Sequence, residues 1–183
     1  GGNCSVNACK ADGRRQCAPD PTTYESPLMY DLSKLLHLIA AIVWMGGMTF
    51  MLIALRPATL AVMDAQPRAR LMDQVWQRFF AAVLIAIVVL LATGGYMFGG
   101  AMKAAREATG HAVVPLGWTI MTALGSLMFL IFGHIYFAGF KKFRRAVAGM
   151  QWPVAAKAAE QIHLLVVVNF VLGWAAIAAV KLL

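Results

Sequence analysis

Four histidines are the residues of this 183-residue chain with the greatest capacity for chemistry. His37, His134 and His163 lie within or at the ends of apolar runs, and His111 lies in a more polar segment just before the third run. An ionisable or metal-binding side chain is costly inside a bilayer, so an intramembrane histidine is a functional hypothesis by default. The alternative is a histidine that only hydrogen-bonds a carbonyl near a helix end. That alternative fits His111 best.

The histidines fall into an inner and an outer pair. His134 and His163 lie within about 5–10 Å of the same predicted membrane boundary, at 1.5 Å of helix rise per residue. Two histidines at similar depth on sequential antiparallel helices are typical of a haem b held by two axial imidazoles. We therefore expect His134 and His163 to bind an inner haem b. His37, together with His111, would serve a second, outer haem.

Methionines offer a different chemistry. Met45, Met48 and Met51 recur at every third position after His37. Thioether sulfur is a soft ligand that suits Cu(I), although this spacing spreads the sulfurs over about 120° of a helix. Methionine is also ordinary core filling. Copper is kept as the alternative metal, with the candidate ligands His134, His163, His37, Met48 and Met51.

Four apolar runs must position these side chains. Hydrophobic residues make up 61% of the chain and charged residues 13%, against roughly 45–50% apolar residues in soluble domains. Each run approaches the roughly 20 residues that cross a hydrocarbon core, and none alternates as a barrel strand does. The predicted fold is an all-α integral membrane four-helix bundle within residues 31–183. Its spans are Leu32–Leu55, Phe79–Phe98, Val113–Phe140 and Ile162–Leu182.

The net charge of +8 is interpreted as a topology signal, and nucleic acid is not expected as a partner. The segments after the first and third predicted spans carry nine cations on one side of the bilayer. The other side carries seven, of which only Lys103 and Arg106 lie in a short loop, so the short loops alone predict that both termini lie outside. The nine cations are Arg56, Arg68, Arg70, Arg78, Lys141, Lys142, Arg144, Arg145 and Lys157.

Residues 1–30 differ from the rest of the chain in being a polar tail. The tail holds all three cysteines, Cys4, Cys9 and Cys17, whose spacing matches neither a zinc knuckle nor a covalent haem motif. On the outside of a membrane one disulfide is permitted, with one cysteine left over. Two origins for the tail stay open. It is native, or it derives from processing or cloning ahead of Met29.

The first apolar run resembles a known family. The segment from Lys34 to Gly47, KLLHLIAAIVWMGG, closes at Arg56-Pro57 and resembles the first helix of CopD-like membrane proteins and of the related HemJ-type proteins. Asn169 to Gly173, NFVLG, resembles the last helix of a CopD-like domain. His37 corresponds to the first-helix histidine, and His134 is placed like a third-helix histidine of the HemJ type. The chain lacks the Arg-Asn-Glu-Pro-like stretch of HemJ-type proteins.

The resemblance covers about residues 30–183 and implies a multi-pass helical bundle of the bacterial inner membrane. CopD-like proteins are associated with copper uptake or resistance, and HemJ-type proteins bind haem b and oxidise protoporphyrinogen. With the histidines, it favours a haem b-binding oxidoreductase that moves electrons within the bilayer, between quinol and an external partner. Two alternatives stay open. One is CopD-like copper handling, and the other is an accessory subunit of a larger membrane complex.

Overall fold

The computed structural model describes residues 27–111 and 115–182, and these residues form helices joined by short turns. Two π-helical segments, Met51–Leu55 and Ile135–Phe140, continue the preceding helix without a break. The cysteines of the predicted tail lie outside the described residues. The α-helices are α1 Pro27–Phe50, α2 Arg56–Val62, α3 Ala65–Thr109, α4 Leu116–His134, α5 Lys141–Ala148 and α6 Trp152–Leu182.

These helices make four continuous spans, each long and apolar enough to cross a membrane. We name them span 1 to span 4 in chain order; they are Leu28–Val62, Ala65–Ala108, Leu116–Ala148 and Trp152–Leu182. The predicted fold class, an all-α membrane four-helix bundle, is confirmed. All four spans run well past their predicted bounds at one or both termini, because hydropathy detects the apolar part of a helix and not its charged extensions.

Local sequence explains where the spans end. Span 2 begins just before Pro67, which is tolerated in a first helical turn because its missing N–H has no intrahelical partner there. It ends at Gly110, whose φ of 74° is left-handed and whose N–H bonds to the Arg106 carbonyl. Glycine adopts this C-terminal cap without a Cβ penalty. Span 4 begins in the same way as span 2, with Pro153 in its first turn.

Sequential spans pack as neighbours, with α1 against α3 and α4 against α6. Aromatic rings then join the two pairs. Trp44 of span 1 stacks on Phe129 of span 3 with ring centroids 5.7 Å apart. Phe80 of span 2 meets Phe132 and Phe140 of span 3 edge-on. The centre of the bundle is thus an aromatic core shared by three spans.

The outside of the bundle is also apolar. Leu130 is 72% exposed and Ile85 67% exposed, and both lie in the middle of their spans. A soluble protein rarely exposes contiguous apolar surface of this extent. The exposed faces are suited to lipid, so the bilayer is the solvent of this protein.

Candidate ligand sites in the bundle

His37 makes a polar contact between two spans. Its ring Nδ1 lies 2.9 Å from the hydroxyl oxygen of Thr93 in span 2. The imidazole also lies against Gly94, where an added Cβ would come within 3.2 Å of the ring carbon Cε1. A glycine at this position therefore gives the imidazole room between the two helices.

Thr93 determines which nitrogen of His37 carries the proton. The Thr93 hydroxyl donates its single hydrogen to the Val89 carbonyl at 2.6 Å. It can therefore only accept from His37, so Nδ1–H is the donor. The neutral ring then has an unprotonated Nε2, which is the form that binds a metal, and the hydrogen bond at the other nitrogen orients it.

His111 does not share a site with His37. Thr93, which contacts His37, is sixteen residues before Thr109 in one continuous helix, or about 24 Å at 1.5 Å per residue. His111 follows that helix end and is exposed. One iron cannot reach both imidazoles, so the structure does not bring the predicted outer pair together within one chain.

His134 and His163 lie on neighbouring spans but on different faces. His134 is exposed at the end of α4, whereas His163 is half-buried and lines a pocket with residues of spans 1 and 2. Gly139 of span 3 packs against Ile162 of span 4. Spans 3 and 4 run antiparallel, so His134, five residues before Gly139, and His163, one residue after Ile162, lie on the same side of this contact. The difference of four residues offsets the two histidines by about 6 Å along the bundle. The predicted inner pair is therefore not arranged as two facing axial ligands.

Methionines, by contrast, converge in the centre of the bundle. The side chains of Met45 and Met128 both reach Gly173 in span 4, where an added Cβ would meet Met45 Sδ and lie 3.2 Å from Met128 Cε. Met48 is one turn from Met45 and only 1% exposed. We call Met45, Met48 and Met128 the methionine cluster. Sequence reasoning included Met45 and Met48 but missed Met128, because only the packing of α4 on α6 brings it close.

Buried Asn169 lies one turn before Gly173 on the same helix face. Its side chain is 2% exposed, and its Oδ1 has no hydrogen-bond partner among the described residues. A buried amide oxygen without a partner costs about 1–3 kcal/mol. Asp73 Oδ1 also lacks a hydrogen bond among the described residues, but it lies 3.4 Å from the Arg144 side chain, whereas Asn169 has no charged group paired with it.

A pocket of about 120 Å³ opens at the end of the bundle where spans 1 and 2 connect. Met51 lines this pocket together with Met72 and His163. Arg56 pairs across it with Glu160, its Nη2 lying 2.9 and 3.0 Å from the two carboxylate oxygens. We call this the Arg56 pocket. Of the predicted metal residues, Met51 and His163 thus share the pocket, while Met48 lies in the methionine cluster.

Comparisons with protein-family models, with curated proteins and with solved structures give no match. Among the described residues no group of three or more His, Cys, Asp or Glu side chains is arranged to hold a metal ion. The fold and the polar groups inside it define the class, which is a multi-pass membrane protein. The resemblance to CopD-like and HemJ-type proteins stays a prediction.

Proposed function

We propose that this chain handles Cu(I) as cargo within the membrane and holds it at the methionine cluster. The observation that carries the proposal is the convergence of Met45 and Met128 at Gly173, with buried Met48 one turn after Met45 on the same helix. Thioethers bind Cu(I) without needing to lose a proton, which suits an apolar interior. CopD-like copper handling is the alternative function that the sequence leaves open.

Soft donors continue from the cluster towards one end of the bundle. Met51 is one turn beyond Met48, and Met51, Met72 and His163 all line the Arg56 pocket. A cation leaving the cluster in this direction finds thioethers first and an imidazole next. Met51, Met72 and His163 are therefore the proposed next donors after the cluster on the copper path.

Donor geometry also supports copper over a haem held by two histidines. A bis-histidine haem needs two imidazoles facing one iron, and His134 and His163 line different faces of their spans. Haem b remains the second candidate because of one observation. Thr93 fixes His37 with Nε2 unprotonated, as an axial ligand requires. In that case the protein is a haem b redox protein, for which quinol remains the proposed electron donor.

We also propose the orientation and membrane that the sequence favours, with both termini outside in a bacterial inner membrane. The support is the basic character of the end at which spans 1 and 2 and spans 3 and 4 connect. Arg144 of span 3 pairs with Asp73 of span 2 at 3.4 Å, so the two connections lie side by side. Positive charge of this kind stays on the cytoplasmic side.

The copper proposal is tested by titrating detergent-purified protein with Cu(I), anaerobically and against a colorimetric Cu(I) chelator. The triple variant Met45→Leu, Met48→Leu and Met128→Leu removes the sulfurs at nearly constant volume. We expect its affinity to fall at least about tenfold, as losses around metal ligands usually do. Met102→Leu, on an exposed methionine of span 2, is the control and keeps the wild-type affinity.

An unchanged affinity in the triple variant would refute the cluster as the copper site. A reduced-minus-oxidised optical spectrum of the same preparation tests the second candidate. A b-type signal that disappears in His37→Ala but persists in His134→Ala would establish haem bound at His37. A protein that binds neither copper nor haem would leave the accessory-subunit alternative.

A further inference from the structure

The Arg56 pocket has more hydrogen-bond donors than acceptors. Arg56 uses only its Nη2 on Glu160, so its Nε and Nη1 hydrogens have no partner on that carboxylate. Arg68 also lines the pocket and makes a single long bond, from Nη1 to the Met63 carbonyl at 3.4 Å. Thr59 donates its hydroxyl hydrogen to the Arg56 carbonyl at 3.0 Å. A ligand made of acceptor oxygens complements this arrangement.

The charge of the pocket also favours an anion. Two guanidinium groups and one carboxylate, those of Arg56, Arg68 and Glu160, leave a formal charge of +1. One phosphodiester group, with a charge of −1, balances this charge completely. A neutral carbonyl ligand would satisfy the donors but leave the charge unbalanced in a half-buried position, which is costly.

Apart from His163, the rest of the lining is apolar, which favours a phosphodiester attached to an apolar molecule. Trp76 and Phe143 form the floor, with their rings edge to face at 4.7 Å. The volume of about 120 Å³ is below the roughly 300 Å³ at which pockets for whole small ligands begin. The pocket is thus too small for a whole lipid, so only the phosphodiester group would lie inside it and the acyl chains would lie along the lipid-facing side of the spans.

We propose that the Arg56 pocket binds the phosphodiester head group of an anionic phospholipid. Basic pockets between membrane helices bind such head groups in general. Both π-helical segments lie next to it, since Met51 and Leu52 of the first line the pocket and the second leads directly into α5, which supplies Phe143. π-Helical turns occur frequently at functional sites. The proposal stands independently of copper or haem binding.

The test is native mass spectrometry of the detergent-purified protein with equimolar phosphatidylglycerol and phosphatidylcholine. We expect wild type to retain phosphatidylglycerol preferentially. Arg68→Gln should reduce that preference about fivefold, as expected for one basic residue near a lipid head group. Arg70→Gln is the matched control, an exposed arginine two residues away on the same helix that does not line the pocket. It should keep the preference within about twofold of wild type.

Glu160→Gln provides a change of opposite sign. It raises the formal charge of the pocket to +2 and releases Arg56, so the preference for phosphatidylglycerol should increase. Arg68→Lys keeps the charge of the pocket. If Arg68→Gln does not fold, the lipid preference of Glu160→Gln is compared with that of Arg68→Lys instead. A decrease of the preference in Glu160→Gln would overturn the proposal.

Two further outcomes would overturn it. Equal losses in Arg68→Gln and Arg70→Gln would show that diffuse surface charge, and not the pocket, selects the lipid. Inorganic phosphate is the probe for a water-soluble ligand. Displacement of phosphatidylglycerol by equimolar inorganic phosphate would show that the pocket recognises free phosphate instead of a lipid head group.

Discussion

Thr93 of span 2 accepts a hydrogen bond from His37 of span 1, and the same hydroxyl donates to the Val89 carbonyl of its own helix. Two neighbouring helices are therefore joined by a polar contact inside an otherwise apolar interface. The contact has two separable consequences. It adds to the stability of the pair of spans, and it keeps the imidazole in one tautomer.

The first consequence is testable with Thr93→Val, which keeps the shape of the side chain and removes both hydrogen bonds. We expect a loss of about 1 kcal/mol, within the range measured for hydrogen bonds between membrane helices. Unfolding in mixed detergent micelles measures this free energy. Thr122→Val is the control, because Thr122 makes the same bond to its own helix, to the Trp118 carbonyl, but is exposed. Equal losses in both variants would mean that the bond between the spans contributes nothing.

The second consequence concerns the protonated nitrogen of His37. In wild type we expect nitrogen chemical shifts of the ring to show a proton on Nδ1 and a lone pair on Nε2. In Thr93→Val the acceptor is gone, so the tautomer found for most histidines in water, with the proton on Nε2, should become populated. A wild-type ring protonated at Nε2 would contradict the assigned direction of the hydrogen bond.

Adjacent glycines in α1 allow a test of how closely spans 1 and 2 approach. An added Cβ at Gly47 would lie 2.5 Å from the ring of Phe79, whereas one at Gly46 would meet nothing within 4 Å. Gly46→Ala should therefore stabilise the protein by up to about 1 kcal/mol, through the lower entropy of the unfolded chain. Gly47→Ala should cost about 1–3 kcal/mol, because Phe79 must move in a packed interface.

Unfolding of the two variants side by side measures this difference, with wild type as the reference. The substitutions are chemically identical and occupy neighbouring positions on one helix. Any general effect of alanine on helix formation therefore cancels between them. Equal stabilities for Gly46→Ala and Gly47→Ala would show that spans 1 and 2 do not pack at this distance.

Gly173 is the corresponding position in the methionine cluster. Gly173→Ala puts a methyl group where the Met45 sulfur lies, so Met45 must move away from Met128. We expect Cu(I) affinity to fall about tenfold, as it does when groups that position metal ligands are changed. Gly125→Ala in span 3, whose added Cβ meets nothing within 4 Å, is the control and keeps the affinity. Retained copper affinity in Gly173→Ala would argue against binding by these sulfurs.

The fold was predictable because it follows from the order of apolar and polar segments along the chain. Four apolar runs in the sequence suffice to predict four spans, and short connections suffice to predict that sequential spans pack together. The ends of the spans were not predictable from hydropathy. Span 2 begins at Ala65, fourteen residues before its predicted start, in a helical stretch that contains Arg68, Asp73 and Arg78. These residues are charged, so the helix there lacks the apolar signal.

The position of a site depends on which face of each helix turns inwards. The predicted depth of a residue in the membrane does not determine that face. His134 and His163 have similar predicted depth, yet one is exposed on span 3 and the other lines the Arg56 pocket. Helical spacing is more informative within one helix. Trp44 and Met48 follow His37 by 7 and 11 residues, which places them on its face of the helix, and both are buried. Partners on other spans, such as Thr93 for His37, follow only from the packed structure.

Asn169 is where stability and function are expected to diverge. Its Oδ1 is buried in the core of span 4 without a hydrogen-bond partner, which costs stability in the unliganded protein. Asn169→Leu replaces the amide by an apolar group of similar size. We expect the unliganded variant to resist unfolding in mixed micelles by about 1 kcal/mol more than wild type, since the unpaired oxygen is gone. Lower stability would show that the amide is already paired in the protein.

If the variant is more stable, copper affinity separates two roles for Asn169. An unchanged affinity means that the amide is only tolerated in the core, whereas a reduced affinity places its oxygen beside the metal held by the neighbouring sulfurs.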